Sequence, residues 1–168
     1  MTEPGHTAER PYAVWLRATL AAFAASLCGC TADVSSAVTA VNPAGWKTGQ
    51  THTLVYRNSD TAAVRDISVL VRRESGRAGP DMEVRLEVVT PDSARFADTL
   101  TVPLRSGHEA AGRYELSSVP YLTGARLNRA GDYTFRFTLV SPEVRKGIWA
   151  IGIETKPVQN GKGQAPPL

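Results

Sequence analysis

An all-β domain is what this sequence predicts: an antiparallel β-sandwich of about seven strands, immunoglobulin-like or jelly-roll-like, with an open barrel as runner-up. Three observations predict it. Hydrophobic residues recur with a period of two through most of residues 45–156. Clusters of Gly, Pro, Asn, Asp and Ser separate the periodic stretches at short, regular intervals. No ten-residue stretch of that region carries the 3.6-residue period of an amphipathic helix. The hydrophobic fraction of 42% and charged fraction of 21% are ordinary for a folded chain of 168 residues.

The elements follow in order. Residues 51–57 open the pattern, and Ile67, Val69 and Val71 then alternate with Ser68, Leu70 and Arg72. Val84, Leu86 and Val88 alternate with Arg85 and Glu87. Leu100, Val102 and Leu104 come next, and Pro103 among them predicts an edge strand, because proline cannot donate to a ladder. Residues 112–116 add a short strand, and Tyr133, Phe135, Phe137 and Leu139 alternate with Thr134, Arg136 and Thr138. Trp149, Ile151 and Ile153 close the set on one face, with Gly152 opposite marking a bulge or a close backbone approach. Turns are predicted at Arg57-Asn-Ser-Asp60, Ser75-Gly-Arg-Ala-Gly-Pro80, Thr90-Pro-Asp-Ser93, Asn128-Arg-Ala-Gly-Asp132 and Ser141-Pro-Glu143.

Residues 1–29 read as a signal peptide. Arg17 precedes an uncharged run from Ala18 to Leu27. Its length suits a leader core of about 7–15 residues and falls short of the roughly 20 that span a bilayer. The run ends in Leu27-Cys-Gly-Cys30, an aliphatic residue and two small ones before a cysteine. That pattern is a lipobox: small side chains let the extended backbone enter a peptidase cleft, and the Cys30 thiol accepts the lipid. An ordinary secretory leader and a metal-binding Cys-x-Cys pair are the alternatives. Metal lacks further cysteines, and His6, His52 and His108 are widely spaced. With Cys28 removed and Cys30 lipidated, the mature domain is left with no disulfide. Residues 30–44, small and polar, read as the lipidated cysteine and a flexible tether, and the Pro- and Gly-containing residues 157–168 as a disordered tail.

The net charge is +3, and basic residues are interspersed with acids, as in Arg72, Arg73 and Glu74. No basic stripe with interleaved aromatics points to nucleic acid. Catalysis finds no support in the residues. His52 and His108 read as surface residues, and no Gly-x-Ser-x-Gly elbow occurs. Glu83 and Glu87 flank Arg85 on one strand face, which reads as cross-strand ion pairing rather than paired catalytic carboxylates. No calcium loop, phosphate loop or other cofactor motif is present. Period-two placement assigns Tyr133, Phe135, Phe137 and Trp149 to the core. Trp46, just after the expected tether, and Tyr121 remain as candidate partner contacts, though Trp46 could equally pin the first strand.

In sequence order the chain carries Trp46, Tyr56-Arg57-Asn58, Asp66-Ile67, Asp98-Thr99-Leu100 and Gly131-Asp-Tyr-Thr-Phe135, then Gly147-Ile-Trp-Ala-Ile-Gly-Ile-Glu154. This order, behind a lipobox, resembles the gliding-motility lipoprotein GldH family of Bacteroidetes, from Trp46 to near Lys156. Two departures stand out: Ala62, Ala63 and Val64 where members show tyrosines, and Val140, Ser141 and Pro142 where members show Met-Arg. The resemblance implies a non-enzymatic envelope lipoprotein associated with gliding motility and type IX secretion machinery, with no catalytic residues to carry over. Thr31 after the lipid cysteine, with a single nearby acid at Asp33, leads to the expectation of an outer-membrane lipoprotein facing the periplasm. Its expected partners are the membrane and other envelope proteins. A glycan- or ligand-binding lipoprotein of a nutrient-uptake system is the alternative, and a hydrolase ranks last.

Overall fold

In this computed structural model of the chain the residues described are 34–77, 79–104 and 112–158. The expected leader, Cys30, His108 and residues 159–168 of the expected tail lie outside them. Eight strands are found among the described residues: β1 (Ser35–Ala40), β2 (Thr51–Asn58), β3 (Val64–Glu74), β4 (Met82–Val89), β5 (Arg95–Val102), β6 (Tyr114–Arg126), β7 (Gly131–Leu139) and β8 (Ile148–Pro157). They form two four-stranded sheets, ordered β1-β8-β3-β6 and β2-β7-β4-β5, with every pairing antiparallel. The pairs are nested: β4 with β5, β3 with β6, β2 with β7 and β1 with β8. Such nesting is one long hairpin rolled into two layers, and of the two sandwich types expected it is the jelly roll.

Alternation supplies the core. Ile67, Val69 and Val71 of β3 face Leu86 of β4 and Phe135 and Phe137 of β7, all buried between the sheets. Each such side chain stabilises the fold by about 1.5–3 kcal/mol relative to exposure. The opposite face of the second sheet is polar. Thr51 and Thr138 share a 2.7 Å hydrogen bond there, and Glu87 lies 3.4 Å from Arg95 and 3.7 Å from Arg136, the cross-strand ion pairing expected of that face. Strand β5 is an edge, as Pro103 predicts, and it stops at Val102.

Four expectations are corrected. The tether does not run to Ala44, because residues 35–40 form β1 and pair with β8 from Ser35↔Thr155 to Ala40↔Ala150. Pro157 belongs to β8 rather than to a tail, and the Val158 amide donates to the Val64 carbonyl at 3.0 Å. Trp46 is wholly buried. Its backbone bridges Arg145 in both directions, and its indole N–H donates to the Gln50 carbonyl at 2.8 Å, so it pins the chain entering β2. Trp149, expected inside, lies on the outer face. A register shift where Arg72 meets Ala150 and Arg73 meets Ile148 makes it the extra residue of a bulge, which reverses the parity of β8 at that point.

Candidate functional site

Two features of the surface carry recognition chemistry. The first is the outer face of the β1-β8-β3-β6 sheet. The bulge in β8 turns Trp149 outwards, where its ring meets Tyr114 edge-on, with centroids 5.3 Å apart and planes at 75°. The Arg72 guanidinium lies 4.1 Å above the Tyr114 ring, a cation–π contact that holds both side chains in place. Leu116 pairs with Arg72 across the β3–β6 ladder and is 64% exposed, and Val38 of β1 is 61% exposed. An apolar patch beside the Arg72 guanidinium is thus open to solvent, on a sheet face that also carries the Glu154–Lys156 ion pair.

The second feature is a cleft of about 360 Å³ between the sheets, on the side where the edge strands β5 and β6 face each other. Ile67, Tyr121, Leu122 and Ala125 line it from the first sheet, and Val88, Phe96, Tyr133 and Phe135 from the second. A register shift between Ile67 and Ser68, opposite Leu122 and Pro120, lets the consecutive residues Tyr121 and Leu122 both line it. Phe96 (59% exposed) and Leu122 (42% exposed) mark its mouth. Burial, and more weakly the Asp98 carboxylate, raise the Tyr121 phenol above its ordinary value, so it stays protonated and able to donate.

The two candidate contacts therefore part company. Tyr121 is a half-buried wall of the cleft, whereas Trp46 belongs to the core and touches nothing outside. Neither Phe96 nor Leu116 is among the expected contacts, although a large apolar residue flanked by polar or small ones is a signal both carry. His52, expected at the surface, is half-buried. Its ring meets Trp46 edge-on at 5.1 Å, and burial lowers its pKa, against the weaker opposing pull of a hydrogen bond to the Ala40 backbone. Its Nε2 is buried without a hydrogen-bond partner. Among the described residues no group of three His, Cys, Asp or Glu side chains is placed to hold a metal, and no helix is long and apolar enough to cross a membrane.

No family model matches the chain, and no curated protein matches it. Among solved structures, the Yersinia pseudotuberculosis-derived mitogen is similar over 79% of this chain and 92% of its own, at 6% identity and a TM-score of 0.36. A structure of infectious bursal disease virus Gx strain is matched over 77% of this chain and 33% of its own, at 13% identity and a TM-score of 0.36. The CBM22-1–GH10 modules of the Clostridium thermocellum xylanase 10B are matched over 75% of this chain and 25% of theirs, at 15% identity and a TM-score of 0.28.

Proposed function

We propose that this chain is a non-enzymatic cell-envelope lipoprotein, anchored in the outer membrane through lipid on Cys30 and facing the periplasm. Its jelly roll docks neighbouring envelope proteins by the outer face of the β1-β8-β3-β6 sheet. The observation that carries this reading is the exposed Trp149–Tyr114–Arg72 cluster with Leu116 beside it. Trp, Tyr and Arg are the residue types that dominate the energetics of protein interfaces, and here they already pack against one another without a partner. Anchoring raises the effective concentration of neighbours, so a small contact face suffices. The motifs shared with the GldH family support an accessory or scaffold role beside gliding-motility and type IX secretion machinery.

A glycan platform fits this face less well. Sugar stacking needs flat rings with open faces, whereas Tyr114 has Arg72 over its face and Trp149 at its edge. Trp46, the other candidate for stacking, is enclosed.

Crosslinking in intact cells, followed by purification of the full-length chain from membranes, tests the reading. A defined envelope protein is expected to co-purify, and Trp149→Ala and Leu116→Asp are expected to reduce its recovery about tenfold with circular dichroism unchanged. Cys30→Ala is expected to leave the membrane fraction and lose the crosslink. Undiminished recovery in the face variants sinks the docking surface, and a membrane-bound Cys30→Ala form sinks the anchor.

A further inference from the structure

The cleft between β5 and β6 lies apart from the docking face, and its chemistry is different. Its volume of about 360 Å³ falls within the roughly 300–1,000 Å³ typical of small-ligand sites. Four rings, those of Phe96, Tyr121, Tyr133 and Phe135, dominate its lining. Tyr133 and Phe135 are 2% and 1% exposed, so the floor of the cleft is part of the packed core and does not collapse when the cleft is empty. The loop closing one end is fixed too. The buried Asn58 amide donates to the Leu127 and Arg129 carbonyls at 2.8 and 2.9 Å, and the Tyr133 hydroxyl accepts the Arg129 amide at 3.2 Å. A built, apolar, half-open space is left without a side chain to fill it.

The polar groups at its rim set the kind of ligand. Thr90 is committed to its own turn, its one hydroxyl proton shared between Asp92 and the Ala94 carbonyl. The neighbouring Arg129 and Asp92 neutralise each other across 3.2 Å. Arg126, which lines the cleft and is exposed, has no carboxylate partner among the described residues. Asp98, close to Tyr121, repels a second anion at its own end of the mouth. Neither charge has an ion-pair partner among the described residues, but Arg126 is part of the cleft lining whereas Asp98 stands outside it, so the charge a ligand in the cleft meets first is the cation.

We propose that this cleft binds a small anionic amphiphile, its apolar chain or ring lying between the sheets and its carboxylate or phosphate meeting Arg126. A free fatty acid and a single-chain anionic lipid share this chemistry.

Calorimetric titration of the full chain carrying Cys30→Ala, with no detergent present, tests the proposal with decanoate, decanol and decyltrimethylammonium as probes. Decanoate is expected to bind about tenfold more tightly than decanol, and the cationic probe more weakly than either. Arg126→Gln is expected to bring decanoate down to the affinity of decanol and leave decanol unchanged. Phe96→Asp, at a solvent-exposed position, is expected to weaken both about tenfold while the thermal transition is kept. Vesicles of phosphatidylglycerol that displace decanoate, where phosphatidylcholine vesicles do not, assign the site to lipid; no displacement assigns it to the free acid, and both results support the shared chemistry. Equal affinities for decanoate and decanol, an unaffected Arg126→Gln variant, or no binding heat with any probe overturns it.

Discussion

At the scale of single residues, His52 shows what burial does to a group that the sequence leaves ambiguous. It lies on the inward side of β2 opposite Phe137, with Trp46 against its ring and its Nε2 cut off from water. Because burial lowers its pKa, the unfolded chain binds a proton that the folded chain resists between the folded value and the unfolded 6.5. The stabilisation from keeping this ring neutral is therefore complete above about pH 6.5 and is lost as the pH falls towards the folded value. Urea titrations between pH 7.5 and 5 are expected to show wild-type stability falling on acidification, with a smaller slope for His52→Gln; equal slopes would remove His52 from the account. The sequence could not supply this. His52 fits the period of its strand, but its neighbour Trp46 stands outside any periodic run, and only the bridge to Arg145 brings the two together.

Among the elements, β1 depends on one glycine. A Cβ built on Gly152 would lie 2.1 Å from the Ala37 carbonyl oxygen and 2.7 Å from Val38 Cα, so the backbone of β1 occupies the space a side chain would need. The close approach expected at Gly152 is therefore present, and its partner is the segment that was expected to be a tether. Gly152→Ala is expected to cost about 1–3 kcal/mol by overpacking and to raise amide exchange across residues 35–40 before the rest of the fold. Protection of β1 equal to that of wild type would refute the dependence. Strand β1 was illegible because Ser35, Ser36, Ala37, Thr39 and Ala40 leave Val38 as its only large apolar residue, and that one points outwards. Most of β6 was hidden for a related reason: Ser117, Ser118 and Pro120 interrupt any alternation, which an edge strand tolerates. Strands β2, β3, β4 and β7 were legible because each is solvated on one face and buried on the other over most of its length.

For the molecule as a whole, the nested pairing decides how the chain must fold. Apart from the β4–β5 hairpin, each nested pair joins segments far apart in sequence, up to Ser35 with Thr155. Loop closure must precede most of the contacts that reward it, so refolding is expected in the range of milliseconds to seconds by stopped-flow fluorescence, and a microsecond phase carrying the full amplitude would contradict this. Pairing of this kind leaves no local trace. The sequence shows strands but not partners, which is why the choice between immunoglobulin-like and jelly-roll-like had to wait for the structure, and why a cleft assembled from five strands was not foreseen. The early start of β1 has one more consequence. Only five peptide units separate Cys30 from Ser35, a leash of at most about 18 Å at full stretch, where the expected tether would have reached about three times as far. If Cys30 carries the proposed lipid, so short a leash would hold the jelly roll against the headgroup layer, and any partner would have to ride low on the membrane to reach it.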